Sequence, residues 1–401
     1  AALGLIGFHV LLRMLRTMAT PSFGWDDFTY HLYRAGRWVQ GSGLELESAP
    51  DAWTYYEFFP WGGDLVWAWA LVWRAGDGLV PLGAIGLWLG VLLAGYAVAS
   101  RLGQSRSTAL IIATAVAVLP CQISQMSTAY VDNAVLAMVL SASLFLLVLL
   151  DRERELSAAA FLLGAACGVG LLVKMSFLPL FLPASLIVAW LAWRRHELSG
   201  AVAFAGGITV VIPNLLFNWV HRGSPFYPFE IVSFLPFNRQ HSWILSKYGE
   251  GATPAELARA AKALVVNESP IDPFLNVGFL GVVLLVLGLV AATGLVRSRQ
   301  LGWYLFWALS GAVVIVYTFF SPKNSSMFVL WTLTMGRLLV PGLSPILVLG
   351  GLTGGRVVRG LVLPLLLIEY LYHGRRKWPL EMTSAAFQTL AILLLLVGLW
   401  L

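Results

Sequence analysis

Long apolar runs recur along almost the whole chain and constrain its fold more than any other feature. Each run is roughly 17 to 25 residues long, which is enough for a helix to cross the hydrocarbon core of a bilayer. Lipid offers no hydrogen-bond partners, so a backbone that crosses it must satisfy its own polar groups. The runs are apolar on all faces and lack the alternation typical of membrane β-barrels. The sequence therefore predicts an all-α, polytopic transmembrane helical bundle.

We expect about 11 or 12 spans in a single transmembrane domain over residues 1–401. The chain is 59% hydrophobic and 11% charged, which is too apolar for a water-soluble core. The first run contains Arg13 and Arg16 and has no small-residue cleavage site, so it is expected to be a true span rather than a signal peptide. The predicted spans are Leu3–Met18, Pro81–Ser100, Ser107–Cys121, Asn133–Leu150, Ser157–Val173, Phe177–Trp193, Ala201–Trp219, Leu275–Val296, Leu301–Phe320, Leu338–Leu352, Leu361–Tyr372 and Ala385–Leu401.

Pairs of basic residues fall at every second loop, which predicts that these loops face the cytoplasm. The same pattern explains the net charge of +6 as a topology signal, so no nucleic-acid partner is expected. The remaining loops then face outward, including a first extracytoplasmic loop at 21–80 and a long one at 221–274. The pairs are Arg101 and Arg106, Arg152 and Arg154, Arg194 and Arg195, Arg297 and Arg299, and Arg356 and Arg359.

Both outer loops contain segments that we expect to lie on the membrane surface. The stretch Trp61 to Trp73 is apolar but too short to span, and its tryptophans are typical of headgroup-level anchors. In the long loop, Thr253-Pro254-Ala255-Glu256 has the pattern of a capping box with proline at the first helical position. It predicts a short amphipathic helix.

The first outer loop is rich in acids, and two of them differ from the rest in position. Outward loops tolerate acids, and this explains Glu45, Glu47 and Asp51 without a function. Asp26 and Asp27 instead follow Trp25 directly and lie near the membrane surface. A carboxylate there can take a proton from an acceptor, or bind a cation, while its reactant stays in lipid.

Residues 25 to 32, WDDFTYHL, followed by Trp38, resemble the first-loop signature of GT-C glycosyltransferases. The resemblance is to the group that contains protein O-mannosyltransferases and aminoarabinose transferases. The chain departs from the family pattern at Ser224, where Asn is usual, and at Leu338, where an aromatic residue is usual. The resemblance covers residues 1 to about 352. Further similar pieces follow in order at Tyr130–Asp132, Gly168–Leu178, Asn218–Phe229 and Arg337–Leu343.

This resemblance implies that a sugar moves from a polyprenyl-phosphate donor to a protein or lipid acceptor on the extracytoplasmic side. Asp26 would match the family's catalytic acid, which deprotonates the acceptor hydroxyl as the lipid phosphate leaves with inversion. Asp27 would be its neighbour and a second catalytic candidate. The expected place is the inner membrane of a bacterium, with the site facing the periplasm and membrane lipids around it.

Asp132 has two interpretations that are compatible with each other. It can join Asp26 around a divalent cation such as Mg²⁺ or Mn²⁺, or hold a basic group that orients the donor. Alternatively, it can cap the apolar helix that begins at Asn133, because aspartate accepts hydrogen bonds from the free N–H groups of a helix start.

The leaving group is an anionic phosphate, so cationic side chains are expected around it. The candidates are Lys174, Arg222 and Arg337, of which Arg337 is favoured because a guanidinium grips phosphate oxygens with two bonds. Lys174 can instead simply extend from a helix end to the interface. Tyr30 and His31 are candidates for positioning donor or acceptor, and His31 for proton transfer, metal binding or plain hydrogen bonding.

Two other classes of protein remain open. A non-catalytic relative within a larger membrane complex, with other membrane subunits as partners, would keep the fold and lose the activity, in line with the departures at Ser224 and Leu338. A transporter of a lipid-linked sugar would place ionisable residues within its spans. The spans here are nearly free of acids, with Glu369 as the main exception.

Overall fold

A computed structural model describes the parts of the chain discussed below, and all regular structure in them is helical. Several predictions lie outside them: the span near 361–372, the span near 385–401, most of the first span, and the basic residues Arg152, Arg154, Arg297, Arg356 and Arg359. The described residues are 24, 26–41, 43–44, 57–73, 77–151, 156–227, 252–265, 276–295, 299–320 and 335–351, with isolated positions before 19 and at 360 and 364.

The described elements begin with a π-helical turn at Asp27–His31 and continue as a series of α-helices. The helices are α1 Leu32–Gly41, α2 Gly62–Trp73, α3 Val80–Arg101, α4 Arg106–Ala117, α5 Pro120–Ser124, α6 Asp132–Leu150, α7 Leu156–Val173, α8 Leu178–Arg195, α9 Leu198–Ile208, α10 Ile212–Arg222, α11 Pro254–Val265, α12 Gly278–Leu295, α13 Arg299–Phe320 and α14 Met335–Gly350.

The helices confirm the predicted transmembrane bundle. Within the described residues, five helical stretches are long and apolar enough to cross a membrane, or six if one bent pair counts as a span. Shorter apolar helices lie at 278–293, 301–317 and 336–350 and overlap three further predicted spans. The five stretches are Val80–Arg101, Asp132–Leu150, Leu156–Val173, Met175–Arg195 and Leu198–Arg222.

The predicted span at Ser107–Cys121 corresponds to two helices with a bend between them, because the helix breaks before Pro120. Residues 106–117 and 120–127 meet at an angle of 69°. Proline has no N–H for the helical ladder, and its ring clashes with the preceding turn, so a bend at this position follows from its chemistry. The short helix α5 then runs buried through the bundle and leads to the start of α6.

Glycines bring α7 and α9 into close contact. A Cβ added at Gly164 would lie 2.1 Å from the carbonyl oxygen of Phe204, and one at Gly207 would lie 2.3 Å from that of Phe161. Membrane helices lack a hydrophobic driving force between them and depend on close packing of small residues. This contact fixes the position of α7, whose last residue precedes Lys174.

Helix α6 connects two ends of the bundle that differ in charge. Its 19 residues span about 28 Å, close to the thickness of the hydrocarbon core. At the end near Leu150, Arg101 pairs with Asp151 at 2.5 Å, and Arg195 donates to the carbonyl of Leu149 at 3.3 Å. Asp132 lies at the opposite end.

The capping box predicted in the long outer loop is confirmed. The Thr253 N–H donates to the Glu256 carboxylate at 2.8 Å, and the Glu256 N–H donates to the Thr253 hydroxyl at 3.3 Å. The Thr253 hydroxyl, which donates to the Glu256 carboxylate at 2.7 Å, and the Thr253 N–H hold the pKa of Glu256 below its usual value. Helix α11 begins directly after them, at Pro254.

Gly164→Ala is expected to lower the free energy of unfolding by about 1–3 kcal/mol, because the added methyl group overlaps the backbone of α9. The measurement is thermal or SDS-induced unfolding of the purified protein. Gly86→Ala in α3 is the matched control, since nothing lies within 4 Å of a Cβ at that position. Equal effects of the two substitutions would contradict the close α7–α9 contact.

Candidate functional site

The start of α6 is capped by a neighbouring side chain, which leaves Asp132 available for other contacts. The Asn133 N–H donates to the Gln125 side-chain oxygen at 3.1 Å, and the Asn133 amide donates to the Gln122 carbonyl at 3.1 Å. Asp132 makes no capping hydrogen bond and belongs to the first turn of the helix. The interpretation of Asp132 as the helix cap is therefore wrong.

Asp132 binds Lys174 instead. Lys174 lies in extended backbone between the end of α7 and a short 3₁₀ turn, and its N–H donates to the Gly170 carbonyl at 2.9 Å. Its ammonium group donates to Asp132 at 2.5 Å. Asp132 is buried, whereas 23% of the Lys174 side chain is exposed. The lysine therefore remains accessible from one side.

Arg337 joins the first loop to α6. It lies in the first turn of α14, and one terminal nitrogen is 2.6 Å from the Asp26 carboxylate. The other is 3.3 Å from Asp132, and the guanidinium carbon lies 4.2 Å from the centre of the Tyr130 ring. Arg337 is buried, and its Nε has no hydrogen-bond partner within the described part of the chain. We call Asp26, Asp132, Lys174 and Arg337 the four-charge cluster.

Asp27 holds the first loop in place beside this cluster. Its carboxylate accepts hydrogen bonds from the Gly24 N–H at 2.7 Å and from the Ala129 N–H at 2.8 Å. Ala129 belongs to the segment that leads into α6. Asp27 thus ties the two segments that bear Asp26 and Asp132, and its side chain is fully buried in doing so.

Charge and burial compete at Asp26. Burial alone would raise the pKa of the Asp26 carboxyl, but the nearby charges of Arg337, His31 and Lys174 hold it below its usual value. Burial also raises the pKa of Tyr30 well above its usual value, and Asp26 adds to this effect. Asp26 is therefore ionised at neutral pH, and Tyr30 is a neutral hydrogen-bond donor.

The space between Asp26 and Asp132 holds a guanidinium. The sequence left two possibilities for Asp132, a shared divalent cation or a basic group, and the contacts of Arg337 and Lys174 correspond to the second. Among the described residues, no group of three or more His, Cys, Asp or Glu side chains has an arrangement that fits a metal ion.

A second buried network adjoins the cluster, and the sequence did not predict it. Asp64, in the first turn of α2, accepts hydrogen bonds from the His31 Nδ1 and, at 2.6 Å, from Arg34. Its side chain is fully buried. Gly63 lets α2 approach, because a Cβ there would lie 2.2 Å from Val131. The signal for this network in the sequence was a single acid, Asp64, within an apolar run, because an acid buried in a membrane protein needs a partner.

Arg222 is not part of the four-charge cluster. It is 3.7 Å from Glu57, and its guanidinium lies 4.3 Å from the centre of the Phe58 ring. Asn218, one turn earlier, donates to the carbonyls of Phe58 and Tyr227. These contacts join the end of α10 to the segment before α2. The other first-loop acids Glu45, Glu47 and Asp51, together with Trp25, lie outside the described residues.

Comparisons with known proteins found a matching family model and a similar solved structure. Residues 80–222 match the family model described as dolichyl-phosphate-mannose-protein mannosyltransferase. The crystal structure of ArnT from Cupriavidus metallidurans bound to undecaprenyl phosphate is similar, with a TM-score of 0.60 and 14% sequence identity. The match covers 99% of this chain and 70% of ArnT. No curated protein sequence matches the chain.

The comparisons confirm the predicted resemblance, and the structural match shows a fold like that of ArnT. The family match includes Asp132, Lys174 and Arg222 but not Asp26 or Arg337. The roles of individual residues therefore depend on the geometry described above.

Asp27→Ala is expected to destabilise the protein by about 1–3 kcal/mol for each backbone N–H left without its carboxylate partner. Unfolding in detergent measures the loss. Asp77→Ala is the control, because Asp77 is exposed. If Asp27→Ala unfolds like the control variant, Asp27 does not anchor the loop.

Proposed function

We propose that this chain is a membrane glycosyltransferase that moves a sugar from a polyprenyl-phosphate donor to a protein or lipid acceptor on the extracytoplasmic side. One observation carries the proposal: Arg337 lies between Asp26 and Asp132, with Lys174 on the far side of Asp132. This arrangement supports a phosphate site at the two cations, with Asp26 beside it as the proposed general base.

Arg337 and Lys174 are suited to bind the donor phosphate. The two cations are balanced by two carboxylates, and the free Nε and the exposed part of Lys174 offer donors to an arriving anion. The family model names dolichyl-phosphate mannose and the ArnT structure holds undecaprenyl phosphate, both sugar-carrier lipids of the polyprenyl type. The role of Arg222 as a phosphate ligand stays a prediction, because its contacts are with Glu57 and Phe58 and not with the four-charge cluster.

Asp26 would act as the base in an inverting displacement. The acceptor oxygen forms a bond to the anomeric carbon, and the bond from that carbon to the phosphate oxygen breaks with its electron pair on the phosphate. The acceptor proton passes to Asp26. When the phosphate draws Arg337 away from Asp26, the carboxylate loses its main partner while burial persists, so its proton affinity rises as the donor binds.

The proposed orientation follows from the two ends of α6. Arg101 and Arg195 lie at the end near Leu150, and loops rich in basic residues stay in the cytoplasm. The four-charge cluster lies at the other end, so it faces outward. This supports transfer outside the cytoplasm, which in a bacterium is the periplasmic side of the inner membrane.

Asp26→Asn is expected to lower the rate of sugar transfer by about 10²- to 10⁴-fold, the usual contribution of a general base. The protein, reconstituted with extracted membrane lipids and proteins as acceptors, is assayed for release of undecaprenyl phosphate from undecaprenyl-phosphate mannose, glucose and aminoarabinose. Asp77→Asn serves as the control because it removes an exposed acid.

The same experiment separates the other classes. A non-catalytic subunit would release no undecaprenyl phosphate in the wild type, and a transporter would move the donor across the vesicle without cleaving it. Undiminished release by Asp26→Asn would show that another residue is the base. Mass spectrometry of glycans from intact wild-type and variant cells shows which glycans the variant loses, and these identify the acceptor.

Transfer is expected to continue in excess EDTA, because Arg337 and Lys174 occupy the carboxylates that a divalent cation would need. The rate is measured with EDTA alone and with added Mg²⁺ or Mn²⁺. Loss of transfer in EDTA with recovery on adding metal would instead establish the metal site between Asp26 and Asp132.

Arg337→Lys should raise the KM for the donor in the same assay, since an ammonium cannot form the two parallel hydrogen bonds of a guanidinium.

A further inference from the structure

His31 is buried between two acids of the first loop and α2. Its Nδ1 bonds to Asp64, which Arg34 holds from the other side at 2.6 Å. Arg34 in turn donates to the Phe59 carbonyl at 3.3 Å. A carboxylate at one ring nitrogen fixes the orientation and tautomer of an imidazole and stabilises its protonated form.

The π-helical turn brings His31 to the side of Asp26. In this turn the Leu32 N–H donates to the Asp27 carbonyl, five residues earlier. That spacing returns the chain to the same side after five residues, whereas an α-helix places residues 26 and 31 on different faces. An electrostatic interaction between the two side chains is in keeping with their proximity.

The second ring nitrogen of His31 is unused. Its Nε2 is buried and has no hydrogen-bond partner among the residues that the structure describes, and the side chain is 3% exposed. A buried polar atom without a partner costs free energy, so such atoms in native proteins need an explanation. Neither the phosphate cations nor the Asp27 anchor involves this nitrogen.

We propose that His31, oriented by Asp64 and Arg34, is a proton-relay residue that takes the acceptor's proton from Asp26 through its Nε2. The assignment rests on the proposed transferase function. His31 acts through Asp26, so it is a positioning residue for the base and does not itself touch the sugar.

The charge balance of the reaction supports this role. The donor phosphate is a diester with one negative charge, and the departing polyprenyl phosphate is a monoester that gains a second. The proton released by the acceptor carries the compensating positive charge. Held on His31 as an imidazolium, it stays beside the cluster and leaves Asp26 ionised for the next acceptor. The charges of Arg34 and Asp64 cancel, so the proton on His31 adds a positive charge to this network.

The test compares His31→Asn with His221→Asn in the reconstituted full chain. Asparagine retains an amide that can bond to Asp64 and lacks a nitrogen that can take a proton. We expect His31→Asn to lower kcat about tenfold to hundredfold, with the KM for undecaprenyl-phosphate sugar unchanged because Arg337 and Lys174 bind the phosphate. His221, an exposed histidine of α10, should tolerate the change.

The pH profile provides a readout that a purely structural role would not alter. The wild type and His31→Asn should differ in the acid limb of the dependence of kcat on pH. Among the described residues, the charged and titratable groups that face His31 are Asp64, Arg34, Asp26 and Tyr30, and Asp64→Asn should alter the same limb. Asp64→Asn also serves if His31→Asn does not fold.

The outcomes distinguish this inference from the function on which it rests. If the wild type transfers no sugar, the proposed function fails and the relay fails with it. If the wild type transfers sugar, and His31→Asn retains full kcat and the same acid limb, the relay is overturned while the transferase stands. A rise in the KM for the donor at unchanged kcat would assign His31 to donor binding and also overturn the relay.

Discussion

The buried contact of Arg337 with Asp26 and Asp132 is the constraint on which the rest of this end of the bundle depends. Removing charges from water is costly, and a buried charge left without its partner is strongly destabilising. Each member of the four-charge cluster comes from a different element: the first loop, α6, the turn after α7, and α14. The cluster therefore requires these elements to meet, and their packing in turn requires the cluster to be neutral.

Nearby polar side chains bind the backbone around the cluster, so the charged groups of the cluster remain to contact one another. Gln125 caps α6 and frees Asp132, and the bend at Pro120 brings Gln125 to that place. The Asp27 carboxylate accepts hydrogen bonds from two backbone N–H groups, and this holds Asp26 beside Arg337. These polar contacts are structural, and they leave the charged atoms of the cluster to face a donor phosphate.

In the proposed reaction, two adjacent networks have separate tasks. The cluster offers cations to a phosphate, and the network of His31, Asp64 and Arg34 offers a nitrogen to a proton. Both tasks would converge on Asp26, which contacts Arg337 and precedes the π-helical turn that contains His31. Such turns are frequent at functional sites.

Hydropathy by itself determined the bundle and most of the span boundaries, because the bilayer sets the length of every apolar run and forbids unpaired backbone. Short motifs were enough to select Asp26, Asp132, Lys174 and Arg337, since each stands next to an apolar run. The sequence placed Arg222 with them and missed Asp64, and it did not foresee the break at Pro120. Those features depend on which helix faces which, and only tertiary packing decides that. A charge in a membrane protein takes its role from the partner it meets when the helices pack.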